Sequence, residues 1–172
     1  VYAGLFGGYY LLMFLILGSL IIRGISPEFR EQRHDPGWQR LWGVLFVAGS
    51  TLSPFFLGMF TANWLVGSPG IISLPGIVVG LALVALSTVE GAAFTNMTLE
   101  ERDAAVTRYG TVAQIAYLVL AVVTVAYLYL AVEGMAAKVI SPEARVLVAL
   151  TAILGIAYVF MLRTGQSLYA FV

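Results

Sequence analysis

Charged side chains are missing from four stretches of the chain, Val1–Ile22, Leu41–Val89, Tyr109–Val132 and Val146–Leu162, and crowd into the short segments between them. A helix needs about 20 apolar residues to cross the hydrocarbon core of a bilayer, and the second stretch is long enough to cross twice. The pattern therefore predicts five membrane helices: about Tyr2 to Ile22, closed by Arg23-Gly24 and followed by a polar segment to Arg40; about Leu41 to Val66; Leu74 or Pro75 to Phe94; about Val106 to Val132; and Pro142 to about Leu162. Pro54 predicts a kink near Ser53-Pro54 inside the second helix, where neighbouring groups satisfy the freed carbonyl. Gly67-Ser68-Pro69-Gly70 is a turn by composition. Thr98 with Glu101 predicts a capping box that starts an amphipathic piece from Leu99, and Ser141-Pro142-Glu143 starts the fifth helix, since proline at the first helical position costs no hydrogen bond.

The expected fold class is all-α, a polytopic transmembrane helix bundle of about five spans, with Ser167–Val172 reading as the start of another. Basic residues support the layout. Cytoplasmic loops are enriched in Lys and Arg, and seven of the nine basic residues fall after odd-numbered helices, at Arg23, Arg30, Arg33, Arg40, Arg102, Arg108 and Arg163, against Lys138 and Arg145 around the fourth loop. The expected orientation puts the Val1 end outside and the 23–40 loop in the cytoplasm. Residues 1–172 are expected to form one transmembrane helical domain that is part of a longer subunit, because the chain opens without methionine and already inside an apolar run.

Composition narrows the class further. Hydrophobic residues make up 60% of the chain and charged residues 10%, with a mean hydropathy of +0.95, against roughly 25% charged in a soluble domain. A net charge of zero offers nothing to nucleic acid. The lack of cysteine excludes disulfides, Cys-ligated zinc and iron–sulfur ligation.

Few residues carry chemistry. Glu90 is the acidic residue set inside a predicted span, and two readings stand: a proton relay or quinone contact, or a carboxylate that pairs between helices or snorkels to the interface. Arg23 and Glu28 belong to Arg23-Gly-Ile-Ser-Pro-Glu28-Phe-Arg30, either a basic anchor with Glu28 paired to an arginine or the lining of a proton entry. Glu100-Glu101-Arg102-Asp103 has the same two readings, with acids favoured near a helix start. The sole histidine, His34, lies in a polar segment beside a proline, so no predicted helix offers the histidine that haem within a membrane takes as axial ligand. Met13, Met59, Met97, Met135 and Met161 read as packing. Gly76 and Gly80 form a small-xxx-small unit that lets helix backbones meet, and Gly49 and Gly58 mark a similar approach on the preceding helix. Tyr9 and Tyr10 lie deeper than an interfacial belt predicts. No Walker loop, Ser/His/Asp set, metal-ligand cluster or Gly-x-Gly-x-x-Gly occurs.

Tyr2-Ala-Gly-Leu-Phe-Gly-Gly-Tyr-Tyr, continuing through Leu15 to Arg23-Gly-Ile-Ser-Pro-Glu28-Phe-Arg30, resembles subunit II of the cytochrome bd-type quinol oxidases. Gly49-Ser50 with Pro54, Gly58 and Asn63 is similar to that family's next helix, Glu90-Gly91-Ala92 to a position with His, Gln or Glu before Gly-Ala, and Met97 through Arg108 to the loop that follows. The likeness covers residues 1 to about 115 and returns at Tyr169–Val172. The family's first two helices, with Asp-Gly-Phe-Asp and Trp-Asp-Gly-Asn motifs, and its last helices have no counterpart here.

The resemblance implies the smaller, haem-free subunit of a terminal oxidase that oxidises quinol and reduces dioxygen to water. It implies that the b and d haems and the quinol-oxidising loop belong to the partner, subunit I, and that this chain scaffolds that partner in a prokaryotic cytoplasmic membrane. It implies proton-path roles for Arg23 and Glu28, with Glu90 a further candidate, and a structural quinone in some relatives. The competing class is a small secondary transporter or channel with Glu90 as coupling carboxylate and the Pro54 helix as moving element.

Overall fold

Lipid offers no partner for backbone N–H and C=O groups, so an apolar stretch that crosses it pairs them internally as helix. The computed structural model describes residues 2–67, 70–98, 104–131 and 141–164. Five helices occupy that range: α1, Tyr2–Glu31; α2, Pro36–Val66; α3, Leu74–Thr98; α4, Ala104–Ala131; and α5, Pro142–Thr164. No strand occurs among the described residues. Helices α1 to α4 are long and apolar enough to cross a membrane, and α5 carries a shorter apolar stretch, Val148–Tyr158. The all-α polytopic architecture expected from the charge pattern is thus present. The expected extra span at Ser167–Val172, and Glu100, Glu101, Arg102, Asp103 and Lys138, lie outside the described residues.

Two boundaries differ from expectation in one place. Helix α1 does not stop at Arg23-Gly24 but continues through Pro27 to Glu31, and α2 starts at Pro36 rather than Leu41, so the polar loop expected over 23–40 shrinks to a turn at 32–35. Pro27 deletes one helical hydrogen bond, which is the whole of its backbone loss where its ring is accommodated. Aromatic contacts offset it. Phe29 stacks on Trp42 at 4.7 Å, Trp38 packs edge-on against Trp42 at 5.6 Å, and the Trp38 Nε1 donates to the Phe29 carbonyl at 2.6 Å. Asp35 caps α2 by accepting from the Trp38 amide at 3.0 Å, with Pro36 at the first position of the helix.

Contacts divide the chain into two compact units, Val1–Val84 and Ala85–Val172. In the first, α1 and α2 pack antiparallel around Tyr9, Leu12 and Met59, with Phe55, Phe56 and Phe60 against them. Close approach requires glycine here. A Cβ on Gly49 would stand 2.8 Å from the Ser19 carbonyl oxygen and the Arg23 amide nitrogen, and one on Gly58 would stand 2.6 Å from the Gly80 Cα. The expected small-residue approach therefore joins Gly80 to Gly58, while Gly76 faces the Asn63 and Ser73 side chains. Helix α2 runs unbroken through Pro54, with the Ser53 hydroxyl donating to the Gly49 carbonyl, and ends at Gly67, whose φ of 72° is left-handed and suits glycine.

In the second unit, Val89, Ala92 and Ala93 are buried. The Tyr158 hydroxyl on α5 donates to the Val89 carbonyl on α3 at 2.6 Å, and the Asn96 amide donates to Thr107 Oγ1 on α4 at 3.1 Å. Gly155 of α5 lies against Gln114 and Leu118 of α4. Thr98 ends α3, with its hydroxyl donating back to the Phe94 and Thr95 carbonyls at 3.1 Å, while Leu99 and Glu101 of the expected capping box lie outside the described residues.

Burial is inverted relative to a water-soluble protein. Leu130 is 80% and Ile72 74% exposed, while Asn63 is fully buried and Ser26 nearly so. Exposed apolar surface on this scale, around polar groups that bond to one another inside, suits lipid as solvent.

Candidate functional site

The expected site residues fall in two places. Arg23 and Glu28 lie on α1 in the first unit, and Glu90 lies on α3 in the second.

The depth of Arg23 and Glu28 follows from how α1 is registered on α2. Near one end, the Tyr9 hydroxyl donates to the Asn63 carbonyl at 3.0 Å; near the other, Gly49 meets Arg23 and Ser19. Tyr9 and Arg23 are separated by the same number of residues as Gly49 and Asn63, so the two helices advance in step. Arg23 is consequently level with Gly49, roughly 12 Å along α2 from Leu41, where the uncharged run of that helix begins. Glu28 is level with the start of the run, near Val44. Five residues apart on a helix, the two side chains point about 140° from each other, and both are exposed. Among the described residues neither forms an ion pair. Two charges without an ion pair among the described residues thus stand at the edge of the span and within it.

Glu90 occupies a full turn and more inside α3, and its side chain is exposed rather than enclosed. Its backbone neighbour Val89 is buried and accepts from Tyr158, and the Glu90 carboxylate is close enough to act electrostatically on that phenol. An isolated charge in hydrocarbon is costly, so an exposed carboxylate at this depth is stabilised by a partner, by water or by reaching the interface.

Asn63 is the polar hub that reading the sequence for chemistry missed. Its Nδ2 donates to the Gly70 carbonyl at 2.7 Å and the Ile71 carbonyl at 3.3 Å, its Oδ1 accepts from the Ser73 hydroxyl, and that hydroxyl oxygen accepts from the Gly76 amide at 3.0 Å. This network closes the turn between α2 and α3 and leaves no donor free for a ligand. A lone amide late in an apolar run was the available signal. Trp38 and Trp42, at the opposite end of α2, pack with Phe29 across the turn between α1 and α2.

His34 is exposed in the turn between α1 and α2, Met59 is 3% exposed among Tyr9, Leu12 and phenylalanines, and no group of three or more metal-ligating His, Cys, Asp or Glu side chains occurs among the described residues.

The fold and these positions define an integral membrane protein of the all-α polytopic class. The family model for cytochrome bd terminal oxidase subunit II matches residues 1–172, and the chain belongs to that family. It is 33% identical over 69 residues to the cytochrome bd-I ubiquinol oxidase subunit 2 of Escherichia coli (strain K12), an alignment covering 40% of this chain and 18% of that relative. To the cytochrome bd ubiquinol oxidase subunit 2 of Bacillus subtilis (strain 168) it is 32% identical over 68 residues, 40% of this chain and 20% of the relative. The matched stretch spans about a fifth of the length of these curated relatives. The family is part of a quinol oxidase, an oxidoreductase complex, and carries the membrane helices found here.

Proposed function

We propose that this chain acts as a haem-free subunit of a cytochrome bd-type oxidase, scaffolding a haem-bearing subunit I and contributing to proton uptake. The observation that carries the reading is the family match along all of residues 1–172, and it is supported by Arg23, Glu28 and Glu90, which are exposed and form no ion pair among the described residues. A charge so placed is stabilised only by a partner, by water, or by reaching the interface. In the complex, Glu28 near the membrane edge receives protons from the cytoplasm, and Arg23, one to two turns deeper on α1, marks the inner end of the same charged stretch. Glu90 supplies a second carboxylate against the partner surface. The loop end of α1 then faces the cytoplasm and the Val1 end faces outward.

The haems b and d of the reaction reside in subunit I, and this chain offers them surface rather than ligands. The transporter reading is not favoured, because Glu90 faces outward from α3 instead of lining a cavity between helices.

Affinity purification from a native membrane tests the assignment. The full-length subunit is expected to emerge with a second polypeptide and a mixed b- and d-type haem absorption spectrum. Recovery of a colourless, single polypeptide that carries ion-driven flux in liposomes overturns it.

A further inference from the structure

Between the end of α1 and the start of α2 lies a cleft of about 700 Å³ whose walls include Ser26, Arg30, Glu31, His34, Trp42 and Phe46. Its two ends differ in chemistry. Phe46 and Trp42 belong to the uncharged run of α2, whereas Arg30, Glu31 and His34 lie past the last apolar turn of α1. By the register of the two helices, Arg30 is level with Trp42, one residue inside the point where α2 becomes uncharged. The cleft therefore bridges the hydrocarbon edge and the headgroup layer, where Trp and Arg anchor membrane proteins.

The charged groups are available for a ligand. Arg33 is engaged over the Trp38 ring at 5.0 Å, but neither Arg30 nor Glu31 makes an ion pair among the described residues, and both are exposed. Arg30 and Glu31 thus present a cation and an anion side by side, with His34 beside them.

We propose that this cleft binds one phospholipid whose headgroup carries both a phosphate and a primary ammonium, a phosphoethanolamine lipid. The phosphate sits on the Arg30 guanidinium with His34 beside it, the ammonium on Glu31, and an acyl chain runs along Phe46 and Trp42. A purely anionic headgroup would meet Glu31 as a like charge; the zwitterion matches both signs. The site is independent of the oxidase reading, since what is measured is lipid.

The full-length subunit, purified with its membrane partners, is stripped with excess detergent and reconstituted with labelled phosphatidylethanolamine or phosphatidylglycerol, and retained lipid is counted by native mass spectrometry. Wild type is expected to keep one phosphatidylethanolamine and to prefer it over phosphatidylglycerol. Arg30→Gln is expected to lower retention about fivefold, Arg30→Lys to restore most of it, and Glu31→Gln to erase the preference between headgroups. Soluble phosphoethanolamine, which lacks acyl chains, is expected to bind at least about tenfold more weakly; equal binding would assign the site to a free phosphate ester and overturn the lipid. Retention that is the same in wild type and Arg30→Gln, as when a partner helix fills the cleft, also overturns the proposal. Should Arg30→Gln fail to assemble, His34→Gln, which lies outside both helices, decides on the same readout: reduced retention supports the site and unchanged retention refutes it.

Discussion

The Tyr9 phenol donates to the main-chain carbonyl of Asn63 across 3.0 Å, binding the first helix to the far end of the second. That bond sets the axial register on which the depths of Arg23 and Glu28 depend. A hydroxyl buried in an apolar setting finds a partner, which explains why Tyr9 lies deeper than an interfacial tyrosine. Tyr9→Phe keeps the ring packing on Phe60 and removes only the bond. It is expected to lower stability by about 1 kcal/mol, read as a small fall in the thermal midpoint of the complex in detergent. No change would mean that Phe60 and Leu12 hold the register unaided.

Gly58 and Gly80 meet backbone to backbone. A methyl group on Gly58 has no flexible side chain to push aside, since its neighbours are the Gly80 Cα and nitrogen and the Val79 carbonyl oxygen. Gly58→Ala is expected to destabilise by about 1–3 kcal/mol, whereas Gly43→Ala, which meets nothing within 4 Å, is expected to be neutral. Thermal melts of the two variants side by side check this, and equal midpoints would refute the close packing of α2 on α3.

Replacing the Asn63 side chain unties the α2–α3 turn. Asn63→Leu leaves the Gly70 and Ile71 carbonyls and the Ser73 hydroxyl without their Asn63 partner, and each partly buried hydrogen bond lost is worth about 0.5–1.5 kcal/mol. Limited proteolysis is expected to cut the Asn63→Leu turn faster than wild type, with little change at the turn between α1 and α2. Equal cutting rates at the α2–α3 turn would deny the amide its role.

The α1 extension hangs on two tryptophans. Trp38→Phe retains an aromatic face against Trp42 but loses the donor to the Phe29 carbonyl. Amide hydrogen exchange over Gly24–Glu31 is expected to accelerate several-fold, while exchange over Leu12–Gly18 stays slow. Unchanged protection beyond Pro27 would show that helix propensity alone carries the extension.

Within the oxidase reading, Glu28→Ala is expected to slow proton-coupled oxygen reduction and leave haem content intact. Glu90→Gln should instead weaken association with the partner subunit, and Tyr158→Phe should do so less, because Tyr158 bonds to the Val89 carbonyl and not to the carboxylate. Steady-state turnover with proton-uptake measurement separates the two roles. Full turnover and uptake in Glu28→Ala would return that residue to a solvated anchor.

What the amino-acid order determined here is which segments enter lipid and where several of them begin and end. Charge-free runs of sufficient length admit one outcome in a bilayer, because an unpaired backbone group there costs several kcal/mol; the turns at Gly67 and Ser141-Pro142 follow from backbone chemistry that is local. The family likeness was also legible, since Arg23-Gly-Ile-Ser-Pro-Glu28-Phe-Arg30 and Glu90-Gly-Ala are ordered motifs. Which face of each helix looks inward was not. Lipid is as apolar as a protein core, so no polar stripe marks the outer side of a membrane helix, and Glu90 could be placed on α3 but not oriented. The extension of α1 through Pro27 was hidden for a related reason: Phe29, Trp38 and Trp42 are ordinary interfacial residues in sequence, and only their stacking across the turn, a contact between two helices, holds the last turns of α1 in place.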